Sequence, residues 1–333
     1  MGDNHVRDRL VTVFGGSGFV GRHLVRELAN RGWRVRVACR RPDLAFFLQP
    51  LGRVGQVTAV QANLRYPDSV AAALRGADAV VNLVGVLSEG GRQNFEAVHA
   101  SGAAAVGKAA AAAGITDVVH LSAIGADAVS ASVYARTKAM GETAIRETVP
   151  SAIILRASVI FGPEDGFFNR FGSMARILPA LPLIGADTKF QPVFVGDVAT
   201  AIVTALEGNA KPGATYELGG PEVATFADLV RYVCSETGRR PMLLSLGFGP
   251  GRLMAQATEI ASKLSFGLFP AVLTTTRDQV EMLRHDNVVS DAAKTEGRTL
   301  ESLGVSPESF RAIAPTYLWR YRRAGQFDRQ RLA

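Results

Sequence analysis

The sequence predicts an α/β protein, a doubly wound parallel sheet carrying a smaller C-terminal lobe. Three observations predict it. Short apolar runs alternate with segments of helical period through the first half of the chain. A glycine-rich turn joins the first run to the first helical segment. Beyond about residue 160 the rhythm breaks, and Pro and Gly cluster. Composition agrees: of 333 residues 47% are hydrophobic and 20% charged, enough for a large buried core and unlike a disordered chain.

The elements follow in order. Leu10–Phe14 is a first apolar strand. Gly18–Asn30 is a helix with Val20, Leu24, Val25 and Leu28 on one face. Val35–Cys39 and Val57–Val60 are the next strands, followed by a helix near Pro67–Arg75. Ala79–Val84 is a strand, and an Ala-rich helix runs from Phe95 to Ala113 and ends at Gly114. Val118–Ser122 is the fifth strand, Ala135–Thr148 a helix and Ile153–Arg156 the sixth strand. Helices near Asp197–Leu206 and Phe226–Ser235 lie past the change of rhythm. This suggests a nucleotide-binding domain over 5–160, with 190–208 packing back on it, and a smaller substrate or interaction lobe over 161–333. The lobe ends in a basic tail from Trp319 with interleaved aromatics.

The net charge is +7, and only six of the 37 basic residues are Lys. Such an arginine-rich surface suits an acidic partner or anionic lipid, or simply water. No nucleic-acid motif accompanies it, so no nucleic-acid partner is expected. Two cysteines, Cys39 and Cys234, cannot make a disulfide framework or a Cys-based metal cluster. A reducing compartment fits best. The first nine residues are polar and show no secretory h-region, and Gly2 lacks the downstream Ser or Thr of a myristoylation signal. No apolar run reaches the length of a membrane span. The longest, Leu264–Thr276, contains Gly267 and Pro270 and could at most lie in an interface.

The turn Phe14-Gly15-Gly-Ser17-Gly18-Phe19-Val20-Gly21 carries the strongest signal. Gly15 permits a tight turn, Gly18 lets backbone approach a pyrophosphate, and Gly21 lets the helix pack closely on the sheet. The helix N-terminus offers free N–H groups and partial positive charge to phosphates. Gly15, Ser17, Gly18, Phe19, Val20 and Gly21 are the expected contacts. The second strand ends in Arg40 and Arg41, where an NAD site places a carboxylate for the ribose hydroxyl. Guanidinium suits a 2′-phosphate, so NADPH (NADP) is the expected cofactor.

Tyr134 and Lys138 stand four residues apart, on one face of a helix. Such a pair can serve as general acid/base and its pKa tuner. Ser122, near the end of the fifth strand, is the candidate donor to a developing alkoxide, while Ile124 two residues on cannot donate. His99 reads as a partly exposed helix residue, with a proton relay as the functional alternative. No His/Asp/Glu spacing marks a metal site, and no metal is expected.

The glycine spacing and the Tyr134/Lys138 pair resemble the short-chain dehydrogenase/reductase superfamily, which implies a Rossmann-type fold. That resemblance implies an adenine contact at Asn63 and Leu64, a ribose contact at Val84 and Gly85, and nicotinamide-side contacts at Tyr134, Lys138 and Ala157. Four longer stretches are more specific. They begin at Arg156-Ala-Ser-Val-Ile-Phe-Gly-Pro, Gln191-Pro-Val-Phe-Val-Gly-Asp, Tyr216-Glu-Leu-Gly-Gly-Pro and Thr276-Arg-Asp-Gln-Val-Glu. They resemble the NAD(P)H-binding accessory subunit family of respiratory complex I (NADH:ubiquinone oxidoreductase), an atypical extended branch of the superfamily. The resemblance implies tightly held NADPH without turnover and docking on the peripheral arm near the membrane. The partners would be other complex I subunits, and the place the cytoplasmic face of a bacterial inner membrane, or the matrix face in mitochondria. The apolar stretch Leu243–Thr276 and the basic tail would then meet subunits or an anionic membrane surface. The alternatives are an NADPH-dependent reductase or sugar-nucleotide epimerase/dehydratase using Tyr134, Lys138 and Ser122, and an NADPH-sensing regulator.

Overall fold

Every residue of the first strand is buried, and this sets the architecture around it. A strand apolar along its whole length needs cover on both faces, which a sheet between two helical layers supplies. The computed structural model describes residues 9–89, 94–265 and 270–327. Its chain divides into two compact units. The first holds the chain up to Ala157, then Val195–Leu218 and Val289–Ser306; the second holds Ser158–Phe194, Gly219–Val288 and the chain from Pro307.

The first unit contains a sheet of seven parallel strands: β1 (Leu10–Phe14), β2 (Arg34–Cys39), β3 (Val57–Gln61), β4 (Ala79–Asn82), β5 (Asp117–Ala123), β6 (Ile153–Ala157) and β7 (Thr215–Leu218). Their order is β7-β6-β5-β4-β1-β2-β3, and every pairing is parallel. β7 is the strand that hydropathy misses. Only Tyr216 and Leu218 of its four residues are buried, too short an apolar signal to register.

The helices form two packed sets, the two covers that a fully buried parallel sheet needs. α1 (Phe19–Asn30) buries Leu24, Val25 and Leu28 at helical spacing and packs against α5 (Val195–Thr204). α2 (Pro67–Leu74), α3 (Ser101–Ala112) and α4 (Val133–Thr148) pack in succession. A single π-helical turn, Glu96–Ala100, leads into α3. α4 is capped by Ser132, whose hydroxyl accepts from the Ala135 N–H at 3.2 Å. The strand order reverses between β1 and β4, and in open α/β sheets that reversal opens a ligand crevice at the carboxyl ends of the strands.

The second unit is built on aromatic packing. Phe161, Phe168, Phe171, Phe226, Phe310 and Tyr317 are buried together, with Phe167, Phe190 and Tyr232 against them. Helices Phe168–Ile177 and Phe226–Glu236 pack on each other beside a parallel strand pair, Ala180–Ile184 with Met242–Leu246. Asp165 fastens the loop into the first of these helices. Its buried carboxylate accepts from the N–H groups of Gly162, Phe167 and Asn169 and from the Tyr317 hydroxyl, all between 2.8 and 3.1 Å.

Two expectations change here. The tail from Trp319 is not a free basic arm over its described part. Tyr321 donates to Asn169 Oδ1 at 3.1 Å, and Arg322 is buried, its Nε donating to the Glu236 carbonyl at 2.6 Å. Tyr321 packs against the aromatic core and Arg322 is buried beside it, while Trp319, Arg320, Arg323 and Phe327 stay exposed. The stretch Leu243–Thr276 holds the helix Phe248–Leu264, which leaves Leu253 and Leu264 more than two-thirds exposed. Phe266, Leu268 and Phe269, the tail beyond residue 327 and the residues weighed as an N-terminal signal lie outside the described residues. Among the described residues, no helix is long and apolar enough to cross a membrane.

Candidate functional site

The site is assembled at the β1/β4 reversal. Gly15 follows β1 with φ +80°, a left-handed conformation that glycine adopts without strain. It also lies against β4's continuation: a Cβ there would stand 3.3 Å from the Leu83 carbonyl carbon and the Val84 nitrogen. Gly21 packs α1 onto the turn so closely that a Cβ would fall 2.4 Å from the Gly15 oxygen. Gly18 is different. A Cβ there would meet the Gly15 oxygen at 3.2 Å and nothing else within 4 Å, so the space before the turn is open. No side chain caps α1, whose N-terminal N–H groups are left for a ligand. These features fit a pyrophosphate. Phe19 and Val20 form the half-buried first turn of α1.

Ser17 reaches the end of β2, where its hydroxyl bonds with the Cys39 thiol. The two arginines beyond Cys39 are not equivalent. Arg41 is held by Asp43, with Nε 2.9 Å from Oδ1 and Nη2 2.6 Å from Oδ2. This pairing raises the Arg41 pKa and lowers that of Asp43. The sequence reading finds no carboxylate here because Asp43 lies four residues past the strand, and a turn returns it to Arg41. Arg40 is exposed and pairs with no carboxylate among the described residues. Asn63 tightens the turn after β3, its Oδ1 accepting from the Arg65 N–H at 3.2 Å, and Leu64 packs on Gly102 of α3.

Val84 and Gly85 follow β4, with the Val84 N–H donating to Asn82 Oδ1 at 3.1 Å. Gly85 borders the chemistry-bearing cluster. A Cβ there would stand 3.6 Å from His99 Nε2 and 3.9 Å from Lys138 Nζ. Lys138 is buried and donates to the Leu121 carbonyl at 2.8 Å. Burial lowers its pKa to about 8, against the upward pull of Glu142. Tyr134, half-buried, packs edge-on to Phe95 and His99, with ring centroids 5.7 and 5.2 Å apart. Ala157, closing β6, pairs with Ala123 beside this cluster, and its carbonyl accepts from the Ile124 N–H at 2.9 Å.

His99 corrects the sequence reading, for it is buried, not partly exposed. Its Nε2 accepts from the Val86 N–H at 3.0 Å, its Nδ1 lies 3.1 Å from Thr137 Oγ1, and its ring stacks on Phe95. Burial first, then the Lys138 charge, lower its pKa to about 3, so the ring is neutral. The π-helical turn aims it inward, and hydropathy gives no sign of that.

Ser122 is also placed differently from a free donor. It is buried on β5, and its hydroxyl donates to Glu142 of α4. Glu142 in turn holds Arg156 of β6 through two bonds of 2.9 and 2.7 Å. Ile124 packs against Val289 and Ala293. Sequence reading passes over Glu142, Arg156 and His120. His120 Nδ1 lies 3.1 Å from Asn82 Nδ2, and its buried Nε2 has no partner among the described residues. Glu142 stands four residues after Lys138, on the same helical face, and that spacing is the signal that could have found it. Among the described residues, no group of His, Cys, Asp and Glu could hold a metal ion.

Tyr134, Lys138, His99 and Gly85 are thus together, and Ala157 ends β6, beside β5. Residues 11–219 match the model of the NAD dependent epimerase/dehydratase family. The chain is 34% identical to the mitochondrial NADH dehydrogenase [ubiquinone] 1 alpha subcomplex subunit 9 of Arabidopsis thaliana, over 97% of this chain and 81% of that one. It is 31% identical to a ceramide reductase of Caulobacter vibrioides, over 86% of this chain and 88% of the relative. The crystal structure of gox2253 superposes with a TM-score of 0.70 at 25% identity, covering 95% of this chain and 99% of that one.

Proposed function

The chain belongs to the NAD dependent epimerase/dehydratase family, and from that premise we propose that it is an NADPH-binding accessory subunit of respiratory complex I, acting without turnover. The likeness to the Arabidopsis subunit over nearly the whole chain supports the assembly. The Ser122–Glu142–Arg156 chain supports the absence of turnover. A hydroxyl already donating to a buried carboxylate is not aimed at a developing alkoxide, and Ile124 cannot replace it.

In this reading Gly15, Gly18 and the α1 N-terminus hold the pyrophosphate, and Arg40 faces the 2′-phosphate. Arg41 is committed to Asp43 and leaves that task to its neighbour. Lys138 has donors beyond its bond to Leu121 and stands beside Gly85, where a nicotinamide ribose would present hydroxyls. The bound nucleotide would supply a hydride donor or acceptor at the Tyr134 end. Without an aligned oxyanion donor, the protein keeps the nucleotide as a structural ligand. Binding only the native state, it raises stability with its concentration. The protein would work at the cytoplasmic face of a bacterial inner membrane, or at the matrix face in a mitochondrion. Docking would involve other subunits, and the exposed Leu253 and Leu264 suit a subunit or an anionic membrane surface.

The intact Tyr134/Lys138 helix and the Caulobacter relative favour one second reading, an NADPH-dependent reductase. A native gel of mildly solubilised source membranes separates the two. Co-migration with the large band active in NADH oxidation supports the subunit. Migration as a small species that oxidises NADPH with a carbonyl substrate supports the reductase. For cofactor choice, Arg40→Ala should cost about 1.5–3 kcal/mol of NADPH affinity, the scale of a charge-assisted hydrogen bond, and leave NADH affinity unchanged. An unchanged preference between the two nucleotides would return the choice to NAD.

A further inference from the structure

A 3₁₀ helix, Pro42–Leu51, follows β2, and apart from Asp43 at its start none of its residues has been assigned a role. With three residues per turn, every third side chain shares a face. Ala45 and Leu48 form the inner stripe, each 1% exposed. The outer faces carry Leu44, Phe46 and Phe47, which are 66%, 58% and 47% exposed. Three large apolar side chains on one short, anchored turn form a crest. Isolated exposed apolar residues are ordinary, but a contiguous group rimmed by polar residues marks an interaction site.

The rim is cationic. The Arg22 guanidinium lies over the Phe47 ring at 5.1 Å. Arg26 is exposed one turn further along α1, and Arg53 is exposed just past the crest. Neither Arg26 nor Arg53 pairs with a carboxylate among the described residues. The one acid within the turn, Asp43, is taken by Arg41. We infer that this crest docks a protein partner whose matching face is an apolar hollow rimmed by Asp and Glu. The inference rests on the subunit reading above. Charge complementarity sets the sign of the partner, and the type of cation sets its class. Between residues 20 and 56 every basic residue is Arg and none is Lys. Arg and Phe are enriched at protein interfaces while Lys is depleted, whereas anionic headgroups take Lys and Arg alike. Guanidinium forks also pair carboxylates in two-point geometry. The two rings would be the buried anchors and the arginines the rim.

The test is a native gel of source membranes from strains carrying the wild-type chain, Phe46→Ser/Phe47→Ser, or Arg26→Glu/Arg53→Glu. All four side chains are exposed, so both isolated variants should keep the wild-type melting temperature and an NADPH affinity within twofold. The expected result is at least a tenfold drop in the fraction co-migrating with the large NADH-oxidising band, for each variant. Wild-type co-migration by either folded variant overturns the docking surface while the subunit reading stands. So does loss of binding to anionic vesicles, in flotation of the purified chains, without loss of co-migration; that result assigns the crest to the bilayer. A wild-type chain that itself runs alone overturns the subunit reading and the docking surface with it.

Discussion

Asp165 and Lys138 are both buried, one in each unit, at 4% and 6% exposure, and they are satisfied in different ways. Asp165 accepts four hydrogen bonds from its own loop and from Tyr317. It has closed its valence and holds a turn in place. Among the described residues Lys138 makes one hydrogen bond, to Leu121, and shares its surroundings with His120, whose Nε2 has no partner there. Native proteins pair nearly all buried polar groups, so the spare donors here suit the ligand proposed for this site. In that reading burial alone does not separate structure from function, whereas closed and open valence do.

The largest expected effect would break the comparison on the closed side. Asp165→Ala strands three N–H groups and a tyrosine hydroxyl, and should destabilise the protein by about 4 kcal/mol in denaturant titration. A loss under about 1 kcal/mol would show that the loop does not need its acid. Acid titration examines the open side. His99 has a folded pKa of about 3 against an ordinary 6.5. The unfolded chain therefore binds more protons between those values. The stability this neutral ring contributes is complete above pH 6.5 and is lost as the pH falls towards 3, with a ceiling on the order of 5 kcal/mol. Stability measured in His99→Gln should fall less steeply across that window, and an identical slope would mean another group carries it.

Glu142→Gln removes the charge between Ser122 and Arg156 and should cost about 3 kcal/mol, since a broken buried pair leaves its partner uncompensated. If the same variant gained NADPH-oxidising activity, Ser122 would have been restrained by Glu142 and not merely buried. The sharpest contrast is the smallest in stability. Lys138→Met should lower nucleotide affinity about 10–100-fold while leaving the melting temperature unchanged or raised, because a buried ammonium with one partner is costly to fold. Titration and melting on the same sample decide it; lost stability with retained affinity would make Lys138 a structural residue like Asp165.

Much of the first unit is legible in the sequence because parallel strands are apolar throughout, and Leu10–Phe14 falls where the pattern places it. The glycine turn is legible because a left-handed Gly15 and the close approach at Gly21 each admit no side chain, and both leave a glycine in the sequence. The chemistry around them is not. His99 lies on an Ala-rich helix whose face cannot be assigned across a π turn, and Glu142 reads as one of many helical acids until β5 and β6 bring Ser122 and Arg156 to it. The pairing of Arg41 with Asp43 is not legible because sequence shows a neighbouring charge but not which way a turn points it. The return of Val289–Ser306 to the first unit has no periodic signal either; it is fixed by contacts such as Ser290 N–H on Glu217 at 2.7 Å.

α3 and α4 pack on each other, and a Cβ on Gly141 would stand 2.3 Å from the His99 carbonyl oxygen. In a saturation library selected for function, Gly141 and Gly18 would therefore look alike, each refusing every replacement. Sorting the same library for folded protein would part them. Gly18→Ala has room to fold and would survive, whereas Gly141→Ala would vanish although alanine is the better helix former. Invariance at the first position would then report on a phosphate, and at the second on the closeness of two helices.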